Sequence, residues 1–93
     1  MAVKVLIPTA LRPYAGAQAS VEVPGQSVGE LLANLAERYA ELRPHLYTEE
    51  GKLRSYVNVY VNDEDCRYLQ REETPLRAGD VVSIVPSIAG GAA

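Results

Sequence analysis

Few residues in this chain have the type and spacing that chemistry requires. Two acidic clusters, Asp63-Glu64-Asp65 and Glu72-Glu73, are candidates for metal binding or acid–base work. A calcium loop needs alternating acidic ligands, a glycine at the bend and a distal glutamate, and residues 62–66 lack that order. They are expected to form a solvated turn. His45 is the single histidine and Cys66 the single cysteine, so neither a histidine-based metal site nor a cysteine–histidine pair has members to spare. His45 follows Pro44 behind a helical pattern and is expected to be exposed at the helix C-terminus, where positive charge is favoured. Cys66 has no cationic helix end beside it and is expected to be an inert, partly buried thiol. Gly16, Gly25 and Gly29 are too dispersed for a nucleotide-cradling loop. No metal site, bound cofactor or internal catalytic constellation is expected, and the chain is not expected to be an enzyme.

One reactive group remains, and every chain has it: the terminus. The last residues read Ser87-Ile88-Ala89-Gly90-Gly91-Ala92-Ala93, a tail that loses its side chains step by step. Two glycines let a backbone enter a slot too narrow for a β-carbon, at an entropic cost when the tail is ordered. Such a tail, rooted in a core strand, suits chemistry on a terminal carboxylate performed inside another protein. A free carboxylate is a poor electrophile. A partner must activate it, most simply as an acyl-adenylate made with ATP. A frayed end has the same composition, so the preceding elements must decide.

Those elements are legible in the pattern. Val3, Val5 and Ile7 alternate with Lys4 and Leu6, predicting a strand over residues 3–7 that Pro8 ends. Residues 9–16 read as a loop, and Ala19, Val21 and Val23 predict a second strand over 17–23. The two form an antiparallel hairpin. Ser27-Val28-Gly29-Glu30 matches a capping box. Behind it, Val28, Leu31, Leu32, Leu35, Ala36 and Tyr39 form one apolar stripe, predicting a helix over 28–41 that Pro44 stops. Residues 45–53 are polar, with a turn at Glu49-Glu50-Gly51-Lys52 and Leu46 and Leu53 pinning them to the core. A third strand spans 55–61, followed by a turn at 62–65. A short fourth strand is expected at 66–69, an exposed linker at 70–73, and a helical or 3-10 turn closed by Gly79 at 74–80. The last strand is 81–86.

Strand, strand, helix, strand, short strand, strand is an α+β order. A hairpin followed by a crossing helix begins the β-grasp fold, a mixed sheet of four to five strands packed on one main helix. In that topology the first and last strands lie parallel in the middle. The expected organisation is one domain over residues 1–86 and a flexible tail over 87–93. If Val57, Val59, Val61, Val82 and Ile84 face the helix, then Leu6, Tyr60 and Val85 share the open face and form a candidate partner-docking patch.

With 93 residues the chain is one domain with a modest core. The single cysteine excludes an intramolecular disulfide. No stretch reaches signal-peptide length or the roughly 20 apolar residues of a membrane span. A cytoplasmic protein is expected. A net charge of −3, with both signs mixed along the chain, argues against nucleic-acid binding and against a polybasic membrane patch.

The sequence resembles the small β-grasp sulfur carriers of the MoaD/ThiS family, relatives of ubiquitin, over nearly its whole length. The resemblance rests on Leu11-Arg12-Pro13, Val59-Tyr60-Val61-Asn62, the Leu76-x-x-Gly79-Asp80 turn, and Val82-Ser83-Ile84-Val85-Pro86 leading to Gly90-Gly91. Within the family, 57–65 and 87–91 are most similar to the branch that supplies sulfur for cysteine synthesis. The resemblance implies a cycle. A ubiquitin-activating-like adenylating enzyme uses ATP to adenylate the terminal glycine, and a sulfur donor converts the adenylate to a thiocarboxylate. In the cysteine branch this sulfur attacks an aminoacrylate on a pyridoxal phosphate (PLP) dependent synthase. The thioester rearranges to an amide, and a JAMM-type zinc metallopeptidase releases cysteine. By the match, Gly91 carries the sulfur and Gly90 gives backbone access. Sulfur for molybdopterin, thiamine or tRNA thiolation stays open, as does a ubiquitin-like protein modifier. The electron-transfer β-grasp proteins are excluded, since one cysteine cannot hold an iron–sulfur cluster.

One departure matters. Direct carriers end at the second glycine, whereas here Ala92-Ala93 follow. Gly91 then has a peptide bond where the chemistry needs a carboxylate. The expectation is a precursor cleaved between Gly91 and Ala92 by a JAMM-type peptidase.

Overall fold

The computed structural model describes residues 2–54 and 57–86. β1 (Ala2–Leu6) and β2 (Ser20–Pro24) form the expected antiparallel hairpin, with Val3 opposite Val23 and Val5 opposite Val21. Their connection is more ordered than a loop. Thr9–Ala15 winds as a 3-10 helix that buries Leu11 and Ala15. Arg12 Nε donates to the Ile7 carbonyl at 3.0 Å and fixes its start. Gly16 and Ala17 then take positive φ, 68° and 60°. A left-handed residue cannot continue a strand, so β2 starts at Ser20 rather than at 17, and Ala19 is exposed instead of facing inward.

α1 (Val28–Arg38) begins at the predicted cap: Ser27 Oγ accepts from the Glu30 N–H at 3.2 Å. Glu30 reaches back to the N–H of Gln26 at 2.7 Å, one residue before the cap itself. Val28, Leu31, Leu32, Leu35 and Ala36 are buried, as the stripe requires. Gly25 lies against this turn; a Cβ there would stand 2.7 Å from Leu31 Cα, closer than any side chain can pack. The helix ends at Arg38, before residue 41, because Tyr39 leaves the helical region at φ −122° and ψ 84°. Pro44 does not stop it. Pro44 sits at the start of a separate helical turn, Arg43–Leu46, where a missing N–H costs nothing. His45 is correspondingly not an exposed helix end. It is half-buried and stacks on Tyr14, with ring centroids 4.2 Å apart.

β3 (Val57–Val61) and β4 (Glu64–Asp65) form a hairpin over Asn62 and Asp63, whose φ values of 52° and 72° make the primed turn that suits a two-residue connection. The fourth strand therefore precedes the residues expected to form it, and Cys66–Tyr68 is a 3-10 turn. Arg71–Glu73 is another, in place of a linker. Residues 74–80 hold no helical turn. Pro75 bridges to Ser27, and the chain reverses at Gly79, φ 92°.

β5 (Val81–Pro86) matches its predicted bounds. It lies parallel to β1 and antiparallel to β3, giving the sheet order β2-β1-β5-β3-β4. The two most apolar strands are central, α1 covers one face, and the architecture is the α+β β-grasp. Val3, Val5, Leu31, Leu32, Leu35, Leu42, Leu46 and Val82 are fully buried between sheet and helix. Among the described residues no helix is long and apolar enough to cross a membrane.

The acidic turn at 62–65 is not wholly solvated. Asp65 is buried (7% exposed) and takes a forked pair of bonds from Arg67, with Nη2 to Oδ2 at 2.8 Å. These bonds, then the Arg67 N–H, hold its carboxyl below the ordinary range. Asp80 is lowered likewise by the Asn62 side chain and then the Arg77 N–H. A depressed carboxyl stabilises the fold above the unfolded value near pH ~4 and loses that contribution as pH falls through the folded value. Urea midpoints are expected to hold from pH 7 to 5 and to fall below about pH 4, with a smaller fall in Asp65→Asn. A midpoint that rises on acidification contradicts this reading.

Candidate functional site

The strand register decides what the open face displays. Leu6 lies opposite Ser83 in the parallel pair, and Ser83 lies opposite Tyr60 in the antiparallel pair. Leu6, Ser83 and Tyr60 thus form one row across β1, β5 and β3. Val85 stands two residues further along β5, opposite Asn58. Side chains in adjacent register positions are roughly 5 Å apart, so Leu6, Tyr60 and Val85 surround Ser83 as one patch. Leu6 is 38% and Val85 44% exposed, and Tyr60 is half-buried. These apolar groups have nothing from α1 above them, because the helix packs on the opposite face with Val82 and Ile84.

β5 connects this face to the tail. Val85 and Pro86 are its last residues, so the patch borders the root of the segment that carries the glycines. Gly90, Gly91 and Ala92 lie outside the described residues. Among the described residues no group of three or more histidine, cysteine or acidic side chains could hold a metal. Cys66 is buried, and burial followed by the Asp65 charge pushes its thiol up, away from nucleophilic reactivity. In Asp63-Glu64-Asp65 the buried member, Asp65, is committed to Arg67, and Glu72-Glu73 lie exposed on a 3-10 turn. Two exposed apolar residues escaped the sequence reading: Tyr68, 81% exposed, and Leu69, 36%. A strand assignment at 66–69 would have buried one of them. The 3-10 turn exposes both.

The model of the ThiS family matches residues 5–91. The chain belongs to the ThiS family. It is 42% identical to sulfur carrier protein CysO of Mycobacterium tuberculosis, over 98% of this chain and all of that one. A small archaeal modifier protein 3 from Haloferax volcanii is 37% identical over 65 residues, 70% of each chain. Among solved structures, the BexX/CysO complex of Amycolatopsis orientalis contains a chain 43% identical, with a TM-score of 0.84, covering 96% of this chain and 99% of that one.

Proposed function

We propose that this chain is a sulfur carrier that works by its C-terminus, as a co-substrate of partner enzymes rather than as an enzyme. The observation that carries the reading is membership of the ThiS family, with the match running through to Gly91. A JAMM-type zinc metallopeptidase removes Ala92-Ala93, and an adenylating enzyme docks on the Leu6, Tyr60 and Val85 patch. It activates the Gly91 carboxylate with ATP, and a sulfur donor displaces AMP to leave the thiocarboxylate. The sulfur then passes to an electrophile on a PLP-dependent synthase, in cysteine or related thiolated amino-acid synthesis in the cytoplasm. Likeness to a CysO favours this branch over molybdopterin, thiamine or tRNA thiolation. Likeness to a small archaeal modifier favours a second reading, conjugation of Gly91 to lysines of other proteins.

Intact mass separates the two. The chain is incubated with the candidate peptidase, activating enzyme, ATP and a sulfur source. Loss of two alanines followed by exchange of one oxygen for sulfur is the carrier result. Isopeptide adducts on other proteins are the modifier result. An unchanged mass with enzymes shown to be competent on another carrier removes both readings.

A further inference from the structure

The two edges of the sheet are treated differently. At β2, the outward carbonyls are capped by α1: Arg38 Nη1 donates to the Glu22 carbonyl at 2.8 Å, and Asn34 Nδ2 to the Pro24 carbonyl at 2.8 Å. At the other edge, β4 pairs only with Tyr60 and Val61. Among the described residues no strand lies beside Val57–Val59 on that side. The register fixes where their polar groups point. Val61 faces Val82, and the Asn62 N–H donates to the Val81 carbonyl. In an antiparallel ladder this turns the N–H and C=O of residues 57, 59 and 61 away from β5. Val57 N–H is taken up by the Arg54 carbonyl at 3.0 Å. The Val59 carbonyl meets the Cys66 N–H, as the pairing of Tyr60 with Asp65 requires. The Val57 carbonyl and the Val59 N–H remain directed at the open edge.

That edge is the floor of a cleft of about 460 Å³, walled by residues 51–54 on one side and by the two 3-10 turns after β4 on the other. Such a volume lies within the range of small-ligand and short-peptide sites. The floor is apolar, with Val57, Val59 and Cys66 each buried. The lining is cationic in an acidic protein: Lys52, Arg54, Arg67 and Arg71, four of the nine basic residues, against one carboxylate, Glu72. Asp65 occupies Arg67. Arg54 donates from Nε to the Pro44 carbonyl at 2.7 Å. Lys52 and Arg71 still outnumber Glu72.

We propose that this cleft accepts an extended acidic peptide segment of a partner protein, which adds to the free edge of β3 as a further strand. A strand supplies both a donor and an acceptor to the edge, while its acidic side chains meet the cations of the walls. An inorganic polyanion has the charge but no donor for the Val57 carbonyl. The proposal does not depend on the tail chemistry.

The test is an NMR titration of the isotopically labelled full chain. The probe is an acetylated, amidated hexapeptide of alternating glutamate and valine. Shifts are expected at Leu53, Val59 and Cys66, with slowed hydrogen exchange at the Val59 amide and binding that weakens as salt is raised. Lys52→Gln with Arg71→Asn is expected to weaken binding about tenfold; asparagine suits the left-handed backbone of Arg71, φ 54°, so the fold is retained. Any of the following results overturns the proposal. One is no shift at millimolar peptide, in which case the cations serve only to repel neighbouring edges. Another is shifts centred on the open face. A third is equal binding by the lysine counterpart, or tighter binding by hexametaphosphate. The last is a change of the cleft signals when the chain's own terminal carboxylate is amidated without peptide, which would put the tail there.

Discussion

Gly91→Ala is expected to abolish thiocarboxylate formation and leave the fold untouched. The residue lies five positions beyond Pro86, the end of β5. Among the described residues the buried cluster ends with Ile84. A tail that adds nothing to that core tolerates substitution within about 0.5 kcal/mol, so the urea midpoint is expected to match that of the parent. The chemistry has no such tolerance. In the proposed cycle the activating enzyme brings the carboxylate to the α-phosphorus of ATP through a slot shaped for backbone. A Cβ on the reacting residue displaces the carboxylate by the order of a bond length, and misplacement of that size costs on the order of 100-fold or more. The substitution also touches the cleavage site. It should therefore be made both in the full chain and in a chain ending at residue 91. Failure of sulfur exchange in both, by intact mass, places the defect in activation. Failure only in the full chain places it in removal of Ala92-Ala93. Normal thiolation in both would end the assignment of Gly91.

Leu6→Asp is expected to lower the rate of activation about 100-fold at saturating ATP, chiefly by weakening association. Leu6 is the β1 member of the row through Ser83 to Tyr60, is 38% exposed and supports nothing in the core beneath it. Its loss should cost the fold no more than about 1 kcal/mol, the span of strand preferences. At the centre of an apolar interface, a carboxylate would be desolvated without a partner, which costs several times that. Binding of the activating enzyme, measured by calorimetry alongside thermal unfolding, separates the effects. Val85→Thr, which keeps the shape and removes apolar surface, should give a smaller loss. If Leu6→Asp is activated at the parent rate, the open face is not the docking surface.

Much of the open face was legible because its signals are local. Leu6, Tyr60 and Val85 fall on the open face by strand alternation alone, once Val5, Val59 and Ile84 are assigned inward. The cap at Ser27 and the stripe behind it needed only the helical period. The errors have local causes as well. Ala19 satisfied the alternation of a strand, but the left-handed turn at Gly16 and Ala17 had already used those residues to reverse the chain. Pro44 looked like a stop because proline breaks helix interiors, and here it opens a helical turn instead. Asp65 read as solvent-facing, since nothing in an Asp-Glu-Asp run marks which carboxylate Arg67 will cover.

By itself, the sequence determined the order of the main strands and the long helix, the inward and outward faces of β1, β3 and β5, and the cap of α1. These follow from hydrophobic alternation and capping chemistry, which act over a few positions. Tertiary structure alone decided that Leu6, Ser83 and Tyr60 meet in one row, that Asp65 is buried, and that Lys52, Arg54 and Arg71 wall one cleft. Those facts depend on register between strands far apart in the chain. A one-residue slip there would turn each strand over, and it is the buried face, packed as a whole, that selects the register.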